Sequence, residues 1–250
     1  MDSVAHTVAL ALNTDDATAL GLLIASAVII LTIFLLLLLQ KRASKANAVL
    51  LVGLSDAGKT AIFTRFVTGV PGTTYTSMQE NVYNGVQFGK RVFSLVDVPG
   101  ADKLRKRTID AQLNSLGKAL KAVVCVVDAG SFSKTCRDVA EFLYDTLCDC
   151  PVRVPLLIAC NKQDLPVVKS AQAIRSSLEK EFTLLNKSRA ASLGFTDEKG
   201  SAKRALLTQT SGDFSWKQLR RRVDFCECSA LEKDNSDYDL IPVQEWLESL

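Results

Sequence analysis

Residues 48–60 decide the fold of this 250-residue chain, and they read Ala48-Val49-Leu50-Leu51-Val52-Gly53-Leu54-Ser55-Asp56-Ala57-Gly58-Lys59-Thr60. Its first five residues form a continuous apolar run, which is typical of a strand covered on both faces. The next eight have the spacing G-x-x-x-x-G-K-T, in which the glycines let successive backbone N–H groups point at phosphate oxygens. A helix is predicted from about residue 59, and its positive N-terminal end would also face the phosphates. The sequence therefore predicts a phosphate-binding loop at residues 53–60.

Two residues of this loop and one further segment form the predicted phosphate and metal site. Lys59 is expected to reach the β- and γ-phosphates, and the Thr60 hydroxyl is expected to ligate Mg²⁺. Asp97-Val98-Pro99-Gly100 follows the third predicted strand. Asp97 at a strand end suits Mg²⁺ coordination, either directly or through a second shell. The Gly100 N–H is expected to reach a γ-phosphate.

Two later segments predict which base is bound. Asn161-Lys162-Gln163-Asp164 follows the fifth predicted strand. The Asp164 carboxylate can accept hydrogen bonds from guanine N1–H and N2–H₂, and with adenine it would be left unpaired. Lys162 can lie over the base, and Asn161 can tie this loop to the phosphate loop. After the sixth strand, Ser229 and Ala230 offer backbone N–H groups to guanine O6. Together these segments specify GTP rather than ATP.

The rest of the folded part alternates strands with helices, which predicts a mostly parallel α/β sheet with ligands at the carboxyl ends of its strands. Residues 186–222 do not follow this alternation of strands and helices, because they are polar and their apolar residues have no clear periodicity. We therefore expect an insertion or long loop with some helix there. Strands are predicted at 48–52, 82–88, 91–96, 122–127, 154–160 and 223–228, and helices at about 59–68, 103–120, 135–149, 170–185 and 243–250.

A membrane span is predicted before this domain. Residues 17–39 carry no charge, and at about 1.5 Å per residue they cover roughly 35 Å, enough for a hydrocarbon core of about 30 Å. A cleaved signal peptide would have a shorter apolar region preceded by positive charge. The basic linker 40–46 places the domain 47–250 in the cytosol and the tail 1–16 on the far side, by the positive-inside rule.

Composition excludes several functional classes. Hydrophobic residues make up 48% and charged residues 23%, so the chain is neither disordered nor a multi-span membrane protein. The net charge of +3 gives no ground for nucleic-acid binding, and we expect no direct DNA contact. The one histidine, His6, lies in the tail, which excludes histidine-dependent catalysis and histidine metal sites in the domain. Seven scattered cysteines indicate reduced thiols.

These motifs resemble those of Ras-superfamily small GTPases over about residues 47–250. Within that superfamily, the span, the D-V-P-G form and the insertion resemble the signal recognition particle receptor beta subunit family, an Arf/Sar-like family. The resemblance implies a Ras-like fold, GTP and Mg²⁺ as cofactors, and a single-pass anchor in the endoplasmic reticulum with a lumenal N-terminus. It also implies a heterodimer with the receptor alpha subunit through GTP-bound switch regions, in co-translational targeting to the translocon with the ribosome as a further partner.

The resemblance also locates the switch residues. Residues 73–77 lie where the first switch belongs, and Thr76 is expected to ligate Mg²⁺ by similarity to the P-T-S element of relatives. Tyr75 replaces the proline of that element, so Thr74 and Thr73 stay open as alternatives. After D-V-P-G, Ala101 stands where many relatives have a glutamine that orients water. We therefore assign no certain catalytic residue and expect very slow hydrolysis.

Two other functions stay open at this point. Ala101 also fits a constitutively GTP-loaded membrane scaffold whose nucleotide never cycles. An Arf-like trafficking GTPase is the second alternative, but such proteins usually carry an acylated glycine after the initiator methionine, where this chain has Asp2.

Overall fold

The computed structural model describes residues 21, 24–36, 47–70, 79–194, 207, 212–231 and 239–250. The chain divides into two units, Met1–Lys45 and Ala46–Leu250. In the first unit, residues 24–36 are helical with exposed side chains. No helix within the described residues is long and apolar enough to cross a membrane. The rest of the predicted span, apart from residue 21, lies outside the described residues, so the span stays a prediction.

The second unit contains a six-stranded sheet in the order β2-β3-β1-β4-β5-β6. Only β2 and β3 are antiparallel, and they form the predicted hairpin; every other neighbouring pair is parallel. β1 lies in the middle with all five of its residues buried, as its apolar run predicts. The strands are β1 Ala48–Val52, β2 Asn81–Phe88, β3 Arg91–Asp97, β4 Leu120–Asp128, β5 Leu156–Asn161 and β6 Val223–Glu227.

Helices cover both faces of the sheet. One hydrophobic core is formed with α2, α3 and α4, and a second core, on other strand residues, with α1 and α5. This arrangement confirms the predicted α/β fold with a mostly parallel sheet. The helices are α1 Lys59–Thr68, α2 Asp102–Leu116, α3 Phe132–Asp149, α4 Ala171–Gly194 and α5 Ile241–Glu248, with 3-10 turns at Gly117–Ala119 and Trp216–Gln218.

Helix α4 continues nine residues beyond the predicted end at residue 185. Its Phe182 is fully buried between the rings of Tyr144 on α3 and of Phe214 and Trp216. The predicted insertion at 186–222 therefore begins as helix, and its later part packs Phe214 and Trp216 into the first core. Of its middle, residues 195–206 and 208–211 lie outside the described residues.

Candidate nucleotide-binding site

The predicted phosphate and guanine residues meet at one edge of the sheet, where β1, β3 and β5 reach their carboxyl ends. A cavity of about 430 Å³ lies there. Since parallel strands end at the same edge, loops far apart in sequence contribute to one pocket. Its lining residues come from the phosphate loop, the segment after β3, the loop after β5 and the loop after β6: Ser55, Asp56, Gly58, Lys59, Thr60, Ala61, Val98, Gly100, Asn161, Lys162, Asp164, Ala230 and Leu231.

The two glycines of the phosphate loop are required by close contacts. Gly53 has φ +146°, and a Cβ there would collide with the Val126 carbonyl oxygen of β4. Gly58 has φ +93°, and a Cβ there would overlap the Asn161 Nδ2 atom. Both conformations disfavour residues with a side chain. The curved conformation of the loop therefore depends on glycine at these two positions. The loop packs against β4 and against the end of β5.

Lys59 is held inside the curl of this loop. Its side chain is 6% exposed, and its Nζ donates a hydrogen bond of 2.7 Å to the Leu54 carbonyl oxygen. Gly100 approaches from β3, since a Cβ at Gly100 would lie 2.6 Å from the Lys59 Nζ and 2.8 Å from the Ser55 backbone nitrogen. The ammonium group and the Gly100 backbone thus converge on one point of the phosphate loop.

The candidate metal ligands lie beside this point. The Thr60 hydroxyl donates to Asp97 Oδ2 at 2.8 Å, and Asn81 Nδ2 donates to the same oxygen at 3.1 Å. Burial raises the pKa of the Asp97 carboxyl, against the opposing effects of Thr60, Asn81 and Lys59. Asp97 Oδ1 is buried and has no hydrogen-bond partner among the described residues. A hydroxyl and an unpaired carboxylate oxygen side by side are ligands of the type that Mg²⁺ prefers, so these residues fit the ion.

Asn161 joins three loops of the site. It is 2% exposed, and its Nδ2 donates to the Ala57 carbonyl oxygen at 2.9 Å. Its Oδ1 accepts a hydrogen bond of 3.1 Å from the Ala230 N–H. A buried amide with both ends bonded fixes the relative position of the groups it joins. The Ala230 N–H thus bonds to Asn161 and the Ser229 N–H bonds to the Asp239 carbonyl oxygen at 2.8 Å, so both N–H groups predicted to face guanine O6 have partners within the protein. The Ser229 hydroxyl lies 2.6 Å from Asp164 Oδ1.

Asp128, at the end of β4, is a site residue that the sequence analysis missed. Its Oδ2 accepts a hydrogen bond of 2.8 Å from Lys162 Nζ, and its Oδ1 accepts the Gly130 and Ser131 N–H groups at 2.9 and 3.2 Å. Burial acts to raise the pKa of the Asp128 carboxyl, but the bonds from Lys162 and Ser131 outweigh it, so the pKa lies below its ordinary value. The signal in the sequence is an aspartate that ends a buried strand and precedes Ala-Gly, a weak pattern on its own.

Two predicted regions are less completely described. Thr73, Thr74, Tyr75 and Thr76 lie outside the described residues, so the expected first-switch ligand of the metal stays a prediction. Ala101 is half-buried and directly precedes α2, whose first turn it leaves without a side-chain hydrogen bond.

Asn81, like Asp128, was missed by the sequence analysis, and it reaches the site because it pairs with Asp97 across the β2–β3 ladder.

Comparison with known proteins identifies relatives over nearly the whole chain. Residues 44–223 match the family model described as "Signal recognition particle receptor beta subunit". The signal recognition particle receptor subunit beta of Homo sapiens is 36% identical over 246 residues, which cover 96% of this chain and 89% of that protein. The corresponding subunit of Saccharomyces cerevisiae is 27% identical and covers 91% of this chain and 97% of that protein.

Solved structures give the same result. A structure of the mammalian signal recognition particle receptor matches with a TM-score of 0.68 at 36% identity, covering 81% of this chain and 99% of that chain. A receptor SRb–GDP–Mg structure from Chaetomium thermophilum matches with a TM-score of 0.64 at 26% identity, covering 82% of this chain and 97% of that chain. The family model covers more than half of this chain, and the human relative exceeds 30% identity over most of its length. The chain therefore belongs to the signal recognition particle receptor beta subunit family.

Proposed function

We propose that this chain binds GTP with Mg²⁺ and serves as the membrane-anchored, switch-forming subunit of a signal recognition particle receptor. One observation carries the proposal: the phosphate loop, Asp97, the Asn161–Asp164 loop and the Ser229–Ala230 loop line or adjoin one cavity of about 430 Å³. The SRb–GDP–Mg protein from Chaetomium thermophilum, which shares this fold, supports the choice of a guanine nucleotide with magnesium.

The residues divide the task of holding the phosphates and the ion. The backbone of residues 53–60 surrounds the phosphates, Lys59 offsets their charge, and the Gly100 N–H contacts the terminal one. Thr60 and Asp97 hold Mg²⁺, with Thr76 as the proposed ligand from the first switch. The bound ion neutralises charge on the phosphate oxygens. Loss of the terminal phosphate removes the partner of the Gly100 N–H. A switch region that was held by this contact can then change conformation.

The base is held by the opposite side of the cavity. Asp164 accepts the N1–H and N2–H₂ groups of guanine, with Ser229 supporting one of its carboxylate oxygens. Lys162 covers one face of the base, and the backbone after Ser229 faces O6. Asp164 is half-buried, and a bound base would cover it further. A carboxylate that is covered without receiving donors is costly, so this arrangement discriminates against adenine by chemistry rather than by size.

The cellular setting follows from the sequence together with the relatives' names. We propose that residues 17–39 cross the endoplasmic reticulum membrane once, with tail 1–16 in the lumen, linker 40–46 at the cytosolic surface and domain 47–250 in the cytosol. The relatives are named as beta subunits of a receptor, which supports a heterodimer with the alpha subunit. The translocon and the ribosome are the further partners that co-translational targeting would bring into contact with this receptor.

Hydrolysis is proposed to be very slow in the isolated protein. Ala101 has no group that can orient a water molecule or donate to the transition state. The same residue favours the second candidate, a constitutively GTP-loaded scaffold. Alpha-subunit affinity measured with GDP and with GTP separates the two candidates, because a switch requires a difference between the two states and a scaffold does not.

The decisive test is a nucleotide titration of the detergent-solubilised full chain. We expect guanosine nucleotides to bind at least about a hundredfold more tightly than adenosine nucleotides. Asp164→Asn exchanges an acceptor for a donor, and it should shift preference toward xanthosine diphosphate, whose C2 carbonyl accepts. Asp213→Asn is the control, because Asp213 is 86% exposed and lies outside the cavity lining. Equal binding of adenosine and guanosine nucleotides by the unmodified chain would refute the proposed function.

A further inference from the structure

Helix α1 carries a buried arginine that the proposed nucleotide contacts do not use. Arg65 is 5% exposed, an unusual environment for a guanidinium group. Its Nε donates a hydrogen bond of 3.2 Å to the Ala230 carbonyl oxygen, 165 residues further along the chain. Helix α1 is thus joined directly to the loop after β6.

The same peptide region is held from the other side. The Ala230 N–H donates to Asn161 Oδ1 at 3.1 Å, so Asn161 holds the amide of the residue whose carbonyl Arg65 holds. Ser229 and Asp239 exchange backbone hydrogen bonds of 2.8 and 3.0 Å, which fixes the preceding residue. Ala230 is 2% exposed, so water cannot readily replace these partners. Within the described residues, these bonds and a hydrogen bond of 2.8 Å from the Ser229 hydroxyl to the Leu231 carbonyl oxygen hold the orientation of the loop.

Helix α1 also bears the start of the phosphate site. It begins at Lys59, and Thr60 follows; both line the cavity. Ala230 and Leu231 line the cavity on its base side. A charge-assisted hydrogen bond is stronger and better directed than a neutral one. The bond from Arg65 to Ala230 therefore fixes the distance between the phosphate-binding end of the helix and the base-binding loop.

We propose that Arg65 is a positioning residue for base recognition: through the Ala230 carbonyl it holds the loop so that the next backbone N–H, that of Leu231, meets guanine O6. This inference rests on the proposed function, since it assigns a role within the same site. The bond acts through the loop and involves no contact between Arg65 and the nucleotide. Removing it should weaken the contacts made to O6 and leave the contact of Asp164 with the exocyclic amine unchanged.

The experiment compares three diphosphates on the full chain in detergent. GDP has both groups, inosine diphosphate lacks the exocyclic amine, and 2-aminopurine riboside diphosphate lacks O6 together with the N1–H, so each variant is compared with the unmodified chain on the same ligand. Arg65→Met keeps an unbranched side chain as far as the position of Nε but removes the guanidinium donors. We expect it to weaken GDP and inosine diphosphate about tenfold each, and 2-aminopurine riboside diphosphate less than about threefold.

Two further variants separate positioning from general damage. Arg65→Gln keeps an N–H donor near Nε and should recover part of the affinity for GDP. Arg137→Met removes an arginine whose side chain is 78% exposed on α3, and it should leave all three affinities unchanged. If Arg65→Met unfolds the chain, the same three-ligand comparison with Arg65→Gln decides, with the loss again expected only for ligands that carry O6.

The outcomes are distinguishable. A loss of equal size for all three diphosphates means that Arg65 is only structural, and unchanged affinities mean that the bond does not matter; either result overturns the inference. If the unmodified chain itself fails to prefer GDP over ADP, the proposed function fails first. A loss restricted to GDP and inosine diphosphate supports positioning.

Discussion

The pair formed by Asp128 and Lys162 offers a sharp test of how the base-binding side is built. We consider Asp128→Asn, which removes the charge but keeps Oδ1 as an acceptor for the Gly130 and Ser131 N–H groups. The new amide would face Lys162 Nζ in place of the carboxylate oxygen at 2.8 Å. The substitution thus removes the ion pair and retains the turn that leads into α3.

The magnitude follows from distance and exposure. Unit charges 2.8 Å apart attract by about 6 kcal/mol at an effective dielectric constant of about 20, before the costs of desolvation and ordering are subtracted. Hydrogen bonds to charged groups contribute about 1.5–3 kcal/mol net. The Lys162 and Asp128 side chains are 29% and 18% exposed, so solvent screens part of this attraction. We expect Asp128→Asn to lower the free energy of unfolding by about 1–2 kcal/mol and the affinity for GDP about fivefold.

The assay is a double-mutant cycle with Lys162→Gln, read by chemical denaturation and by GDP titration. The coupling energy should be about 1 kcal/mol, because either single change already removes the ion pair. The sign of the pH dependence follows from the lowered pKa of Asp128: its contribution to stability is present above its ordinary pKa of 3.8 and is lost as pH falls through the lower folded value. The difference between the unmodified chain and Asp128→Asn should therefore be constant above about pH 5 and shrink below pH 3.8. A coupling energy of zero, or a difference that grows on acidification, would contradict the assigned pairing.

Three other predictions test the phosphate loop, the core and the hydrolysis step. Gly53→Ala pushes a methyl group against the Val126 carbonyl at φ +146° and should cost about 3 kcal/mol or more in denaturation, whereas Gly69→Ala, at φ +74° with no atom within 4 Å, should cost about 1 kcal/mol. Tyr144→Phe removes buried hydrogen bonds from α3 to α4 and to the segment beyond it, and should lower the free energy of unfolding by about 1–3 kcal/mol without changing GDP affinity; a change in affinity would show that the core and the site are coupled. Ala101→Gln supplies the missing water-orienting amide, and single-turnover GTP hydrolysis should become at least about tenfold faster; an unchanged rate would show that the slow step has another cause.

The strands were predictable because each leaves a local signal. β1, β4 and β5 are apolar runs whose residues are almost all buried, and the β2–β3 hairpin is marked by Gly89 at its turn, where φ is +56°. The end of α4 was not predictable in this way. Its last nine residues have no clear apolar period. They are supported by α3, where Tyr144 donates a hydrogen bond to Asn186 and lies beneath the Arg189 guanidinium, which also pairs with Asp145 at 2.7 Å. Packing against distant segments therefore set the length of this helix.

The site divides in the same way between local and long-range causes. The phosphate and guanine motifs are short stretches in which neighbouring residues determine the backbone conformation, so candidate residues could be named from the sequence. Asp128 and Asn81 could not be, since their roles depend on strand pairing. Asp128 is paired with Asn161 in the β4–β5 register, which brings it beside Lys162, and Asn81 is paired with Asp97 in the β2–β3 register. Neither pairing can be predicted before the order and register of the strands are known.

Asn161 explains why the whole site depends on that sheet order. Its amide reaches the Ala57 carbonyl in one loop and the Ala230 amide in another, which lie 104 and 69 residues away. The loops meet because β1, β4, β5 and β6 lie side by side in this order, and because the Gly58 position has no side chain in the path of the amide. The glycine of the phosphate motif is thus required because the asparagine side chain of the guanine motif packs directly against it. A substitution at either position must disturb the other, so we expect the proposed binding of the phosphates and of the base to weaken together in such variants.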